Sequence, residues 1–137
     1  MGLGVFALWI QLDAPWMTIG APSAGFTPLT AAGTIDWPLV AVRWIGAALL
    51  VPVMEEIFWR SFLLRYLTDS DFRRLPVGTF SASALMIMLA ASGLAHPEWL
   101  VAVIASLAYA LWLRQSRSLF GAIVAHATTN AALGAYV

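Results

Sequence analysis

Apolar runs separated by short polar breaks dominate this chain, and their lengths predict helices that cross a membrane rather than half-buried strands. An apolar bilayer core about 30 Å thick takes roughly 20 helical residues to span. Residues 1–12 (MGLGVFALWIQL) are apolar but short, lack the basic start and cleavage site of a signal peptide, and read as the end of a helix. Residues 13–37 are rich in Pro, Gly, Ser and Thr, which predicts a surface loop or shallow interfacial segment. From Pro38 an apolar run reaches Leu67 as one long helix, with Pro38 suited to its start and Pro52 expected to kink its middle. Residues 77–95, crowded with Ala, Ser and Gly, predict a third helix open to close contact. Residues 99–113 predict a fourth that is near 22 Å long by helical rise, short for a full crossing, so its hairpin tip is expected to stop inside the bilayer. Residues 119–137 close the chain with another small-residue helix and no polar tail, as a fragment or a minimal core would.

Arg65, Arg73 and Arg74 follow the second run, Arg114 and Arg117 follow the fourth, and the first loop has no Arg. Both Arg-bearing loops therefore face the cytoplasm by the positive-inside rule. No repeat or second domain interrupts the pattern. The expectation is an all-α, polytopic transmembrane helix bundle with about four to five membrane helices and a polar intramembrane cavity, one integral-membrane domain over residues 1–137.

Composition agrees. The chain is 61% hydrophobic and 10% charged, where soluble domains run near one quarter charged. Seven acids balance seven Arg, so no nucleic-acid partner is expected. With no Cys there is no disulfide framework and no thiolate nucleophile, so any metal must use His and carboxylates. Seven Trp suit membrane interfaces, although buried packing would use them equally well.

A charged side chain at bilayer depth costs at least about 2.5 to 3.5 kcal/mol by insertion scales, so each embedded one needs an account. Glu55, Glu56 and Arg60 stand together in VPVMEEIFWRSFLL, with Glu56 and Arg60 spaced i, i+4 for a helical ion pair. Glu55 is left without a local partner and is a candidate general base toward water. His96 ends the third run, and His126 shares a helix face with Asn130. Imidazoles exchange protons or ligate metals, and a carboxamide donates to a developing oxyanion. Together these groups contain what amide hydrolysis within a membrane requires, with no nucleophilic side chain. Each also has a structural reading. Glu56 with Arg60 fixes helix register as a buried pair, His126 with Asn130 bonds across helices, and His96 before Pro97 caps a helix.

The set resembles the CAAX prenyl protease and bacteriocin-processing (Abi) family of intramembrane endopeptidases, marked by EExxxR, FxxxH and HxxxN on successive helices. The first motif stands as Glu55-Glu56-Ile57-Phe58-Trp59-Arg60 and the third as His126-Ala127-Thr128-Thr129-Asn130. The middle motif departs: His96 is present, but Ser92 holds the aromatic position. The protease-like core is then residues 38–137. The resemblance implies a polar cavity within the membrane and cleavage of a peptide near a prenylated or membrane-bound end. Carried over, Glu55 and His96 activate water, His126 with Asn130 stabilises the oxyanion, and Glu56 with Arg60 holds Glu55. Glu55, His96 and His126 would serve either as Zn2+ ligands or as a metal-free base and oxyanion set. The implied partners are membrane lipid and a prenylated or membrane-bound peptide, and the implied location is a bacterial cell membrane.

Helical rise sets a difficulty. Counted from the Arg loops, Glu55 and His126 come out roughly 12 to 15 Å deep and His96 nearer 22 to 28 Å, so they meet only if the third helix tilts or residues 75–80 lie along the interface. Two rivals stand beside this reading. Ser92-Gly93 with His126 faintly resembles the Ser-His pair of rhomboid proteases, which leaves Glu55, Glu56 and Arg60 unexplained. A non-catalytic immunity or partner-binding protein, or a small transporter subunit with Glu55 as a proton site, would keep the polar groups without hydrolysis.

Overall fold

The computed structural model describes residues 1–20 and 27–136; residues 21–26 of the expected loop and Val137 of the last expected helix lie outside the described residues. The described residues contain no strand, only an isolated bridge between Leu29 and Ile35. Five helices carry the fold: α1 (Gly2–Trp9), α2 (Trp37–Tyr66), α3 (Ala82–Ala95), α4 (Trp99–Ser116) and α5 (Leu119–Tyr136). Two of them, α2 and α4, are long and apolar enough to cross a membrane, and α3 is apolar but shorter.

The Asp36 carboxylate starts α2 by accepting the Leu39 N–H at 3.0 Å, and Pro38 fills an early position whose N–H needs no helical partner. Two stretches of α2, Gly46–Leu50 and Glu56–Leu63, are π-helical. The first follows from Pro52. Val51 N–H bonds Gly46 O five residues back, and in that register the next N–H would reach Ala47 O, but proline has none. The orphaned Ala47 carbonyl accepts instead from Asn130 Nδ2 of α5 at 3.0 Å. Where the surroundings are hydrocarbon no water can take that place, so the side chain of a second helix makes the broken ladder tolerable.

Two expected boundaries move. The third helix begins at Ala82 rather than Val77, because Ser81 Oγ caps it by accepting Ala84 N–H at 3.1 Å, and Gly78, with φ of 82°, turns the chain just before. The fourth does not end at Leu113. It runs 18 residues to Ser116, about 27 Å, and so is not short for a crossing. Arg114 does not stop it, since its guanidinium lies over the Phe80 ring at 5.4 Å and a long cationic stem can leave the backbone ladder intact. Arg117, at φ of 54°, closes the helix by bonding Leu113 O.

The core forms on two sides of α4. Leu64, Ala84, Met88 and Ala110 pack where it meets α2 and α3, and Val5, Ala105 and Tyr109 pack where it meets α1. Large apolar side chains also point outward: Val42, Leu50, Met54 and Ile57 of α2 are exposed, and only 11% of that helix's apolar window is buried inside the protein. So continuous an outward apolar face suits lipid rather than water.

Candidate active site

The second π-helical stretch of α2 carries Glu56 and Arg60, both fully buried. Arg60 Nη1 donates to Glu56 Oε1 at 3.0 Å, as the i, i+4 spacing predicts. The same oxygen lies 2.9 Å from His126 Nδ1 on α5. An ionised carboxylate only accepts, so Nδ1 is the donor from His126 to Glu56, and Nε2 is left for other work. The expectation that Glu56 and Arg60 hold Glu55 meets a different pattern of bonds: they bond each other, Glu56 also bonds His126, and Arg60 Nη2 donates to Ser106 O of α4 at 3.5 Å. Glu56 Oε2 and Arg60 Nε have no hydrogen-bond partner among the described residues, a costly arrangement that helix register alone does not require.

Just past the end of α3, His96 Nδ1 donates to Ser92 O at 2.9 Å, leaving Nε2 unprotonated in the neutral ring. That nitrogen stands 3.9 Å from Glu55 Oε1, and both side chains are partly open. The depth mismatch expected from counting rise is therefore absent. Ser81 N–H bonds Thr68 Oγ1 at 3.1 Å, clasping the start of α3 to the end of α2. From that clasp Glu55 lies about 20 Å back along α2 and His96 about 22 Å forward along α3, so antiparallel packing brings them level.

Glu55, Arg60, His96, His126 and Asn130 all line one cavity of about 20 Å3, about what one water molecule needs. Its remaining wall holds residues the sequence reading did not single out. Tyr109 of α4 stacks on His126, with ring centroids 5.0 Å apart and 21° between planes. Trp9 of α1 supplies a second aromatic surface. These rings line the cavity although Ser92 occupies the position where the middle motif calls for an aromatic. Ser92 is buried, and its hydroxyl lies 2.6 Å from Ser106 Oγ. That hydroxyl is thus bonded to α4, although Ser92 also lines the cavity. A lone hydroxylated aromatic inside an apolar run was the one available signal for Tyr109; nothing in the pattern marked Trp9.

The expected metal trio fares differently. Glu55, His96 and His126 share the cavity, yet among the described residues no three His or acidic side chains are grouped closely enough to hold a metal ion. As placed, they do not fit a zinc centre, whose donors lie about 2.0 to 2.2 Å from the ion.

A family model described as type II CAAX prenyl endopeptidase Rce1-like matches residues 37–132, from the start of α2 into the last turns of α5. The match holds every motif residue named above and leaves α1 outside it. No curated protein and no solved structure matches the chain significantly.

Proposed function

The chain belongs to the Rce1-like family of type II CAAX prenyl endopeptidases, and on that premise we propose that it hydrolyses a peptide bond near a prenylated or membrane-bound end, by water activated at Glu55 and His96. The observation that carries this reading is the 3.9 Å gap between Glu55 Oε1 and His96 Nε2. It is too long for a direct hydrogen bond and admits a water oxygen about 2.8 Å from each.

The chemistry runs through the chain's own groups. Arg60 offsets Glu56, so Glu55 is the carboxylate left to accept a proton. As water adds to the scissile carbonyl carbon, its proton passes to Glu55 and then to the leaving amine as the C–N bond breaks. His126, protonated on both nitrogens above the Glu56 carboxylate, turns Nε2–H toward the developing oxyanion. Asn130 spends one N–H on Ala47 O and keeps the other for that oxyanion. No step needs a metal ligand set. The protein acts as a multi-pass protein of a bacterial cell membrane, its remaining helices completing the bundle beside the two long apolar ones.

The test is direct. The full chain in lipid nanodiscs is incubated with a prenylated CAAX peptide and its unprenylated form, and products are read by mass spectrometry. Cleavage of the prenylated peptide that disappears in Glu55→Gln supports the reading. No cleavage of either by folded protein, with or without added Zn2+, overturns it in favour of a binding protein.

A further inference from the structure

Four side chains from three helices close a ring around the candidate oxyanion group. Glu56 Oε1 joins Arg60 to His126, the Arg60 guanidinium lies over the Tyr109 ring at 5.4 Å, and Tyr109 stacks on His126 at 5.0 Å. One bond to Glu56 leaves an imidazole free to swing about its Nδ1–H axis. A flat ring parallel to it removes that freedom.

Tyr109 is in turn held. It is 2% exposed, and its hydroxyl lies 2.7 Å from Thr129 Oγ1. Thr129 donates its single proton to Gly2 O at 2.8 Å, with Ala125 O of its own helix as a second acceptor at 3.2 Å. The Tyr109 hydroxyl must then be the donor toward Thr129, with its proton directed away from His126. This tyrosine is not placed to supply a proton to substrate. The last acceptor belongs to α1, outside the family match, and Gly2 fits there because a Cβ would collide with Ala125 O.

We propose that Tyr109 is a positioning residue for His126: its ring, anchored through Thr129 to the Gly2 carbonyl of α1, fixes the plane in which His126 presents Nε2 to the oxyanion. The proposal rests on the reading that His126 stabilises that oxyanion. Three links in this chain of contacts carry separate consequences. The ring face orients His126, the hydroxyl orients the ring, and α1 orients Thr129.

The experiment uses the full chain in nanodiscs with two readouts: kcat and KM on the prenylated peptide, and the imidazole 15N–1H signature of His126. Only two histidines are present, so the single variant His96→Gln assigns the spectrum. Wild type should show both His126 N–H signals, with Nδ1–H in the bond to Glu56. Tyr109→Phe keeps the flat ring but loses its bond to Thr129, and should lower kcat by less than Tyr109→Met does, with a modestly broadened His126 signal. Tyr109→Met fills similar volume without a flat face, and should lower kcat about tenfold or more with KM nearly unchanged, while the His126 N–H signals broaden. Should Tyr109→Met fail to fold, Thr129→Val reads the same device, with a smaller fall in kcat and a broadened His126 signal. Restoration of kcat in Tyr109→Phe relative to Tyr109→Met separates ring orientation from simple packing. Folded Tyr109→Met or Thr129→Val with an unchanged kcat and unchanged His126 signature overturns the proposal. A wild type that cleaves nothing, yet whose His126 signature collapses in Tyr109→Met, removes the endopeptidase reading and leaves the positioning role standing.

Discussion

Glu56 Oε1 lies 2.9 Å from His126 Nδ1, joining the second residue of one motif to the first residue of another 70 positions away. The same oxygen neutralises Arg60, so a single buried atom serves both an ion pair and an imidazole. Removing its charge should therefore separate stability from activity. Glu56→Gln leaves Arg60 as an uncompensated buried cation and should destabilise the protein by about 3 to 5 kcal/mol in a detergent unfolding titration. The double variant Glu56→Gln with Arg60→Met should recover most of that stability and none of the peptidase activity, because His126 still lacks its carboxylate.

Glu55 behaves in the opposite way. Its side chain is partly open, and His96 Nε2 lies 3.9 Å away. Glu55→Gln should leave stability within about 0.5 kcal/mol and lower kcat by about 10² to 10⁴. A variant retaining wild-type kcat would remove Glu55 from the reaction.

Pro52 and Asn130 should be energetically coupled although they lie on different helices. Asn130→Ala strands the Ala47 carbonyl and should cost about 1 to 3 kcal/mol. In a Pro52→Ala background residue 52 has an N–H to offer, so the same substitution should cost at least about 0.5 kcal/mol less. Additive losses in this double-mutant cycle would show that the proline does not create the need for the amide.

Ser92 offers a test between protease classes. Its hydroxyl is bonded to Ser106 Oγ, and its carbonyl, which any residue would supply, holds His96. Ser92→Ala should lose about 1 kcal/mol for the severed buried bond and keep kcat within about threefold. Abolished cleavage would point to a serine nucleophile.

Helices were legible in the chain because their signal is local. Apolar run length, Pro38 beside the Asp36 cap, and the break at His96-Pro97 each act within a few residues. The polar set was legible for a related reason: Glu55, Glu56, Arg60, His96, His126 and Asn130 are conspicuous wherever a charge or amide must be accounted for in an apolar run. Boundaries that depend on side chains reaching elsewhere were not. Arg114 resembled a helix end until the Phe80 ring gave its guanidinium a resting place.

Partner choice belongs to the tertiary structure. That Glu56 serves His126 rather than Glu55, and that His96 reaches Glu55 despite its apparent depth, follow from the Ser81–Thr68 clasp and the packing of α5 on α2. Tyr109, Thr129 and Trp9 entered the site only when α1 and α4 came against α5. Periodicity and burial cost are properties of neighbouring residues, so the chain alone determines which elements form and which groups must find partners. The offset between helices is set by contacts across long sequence separations, and a shift of one turn, about 5.4 Å, would exchange every partner in this site.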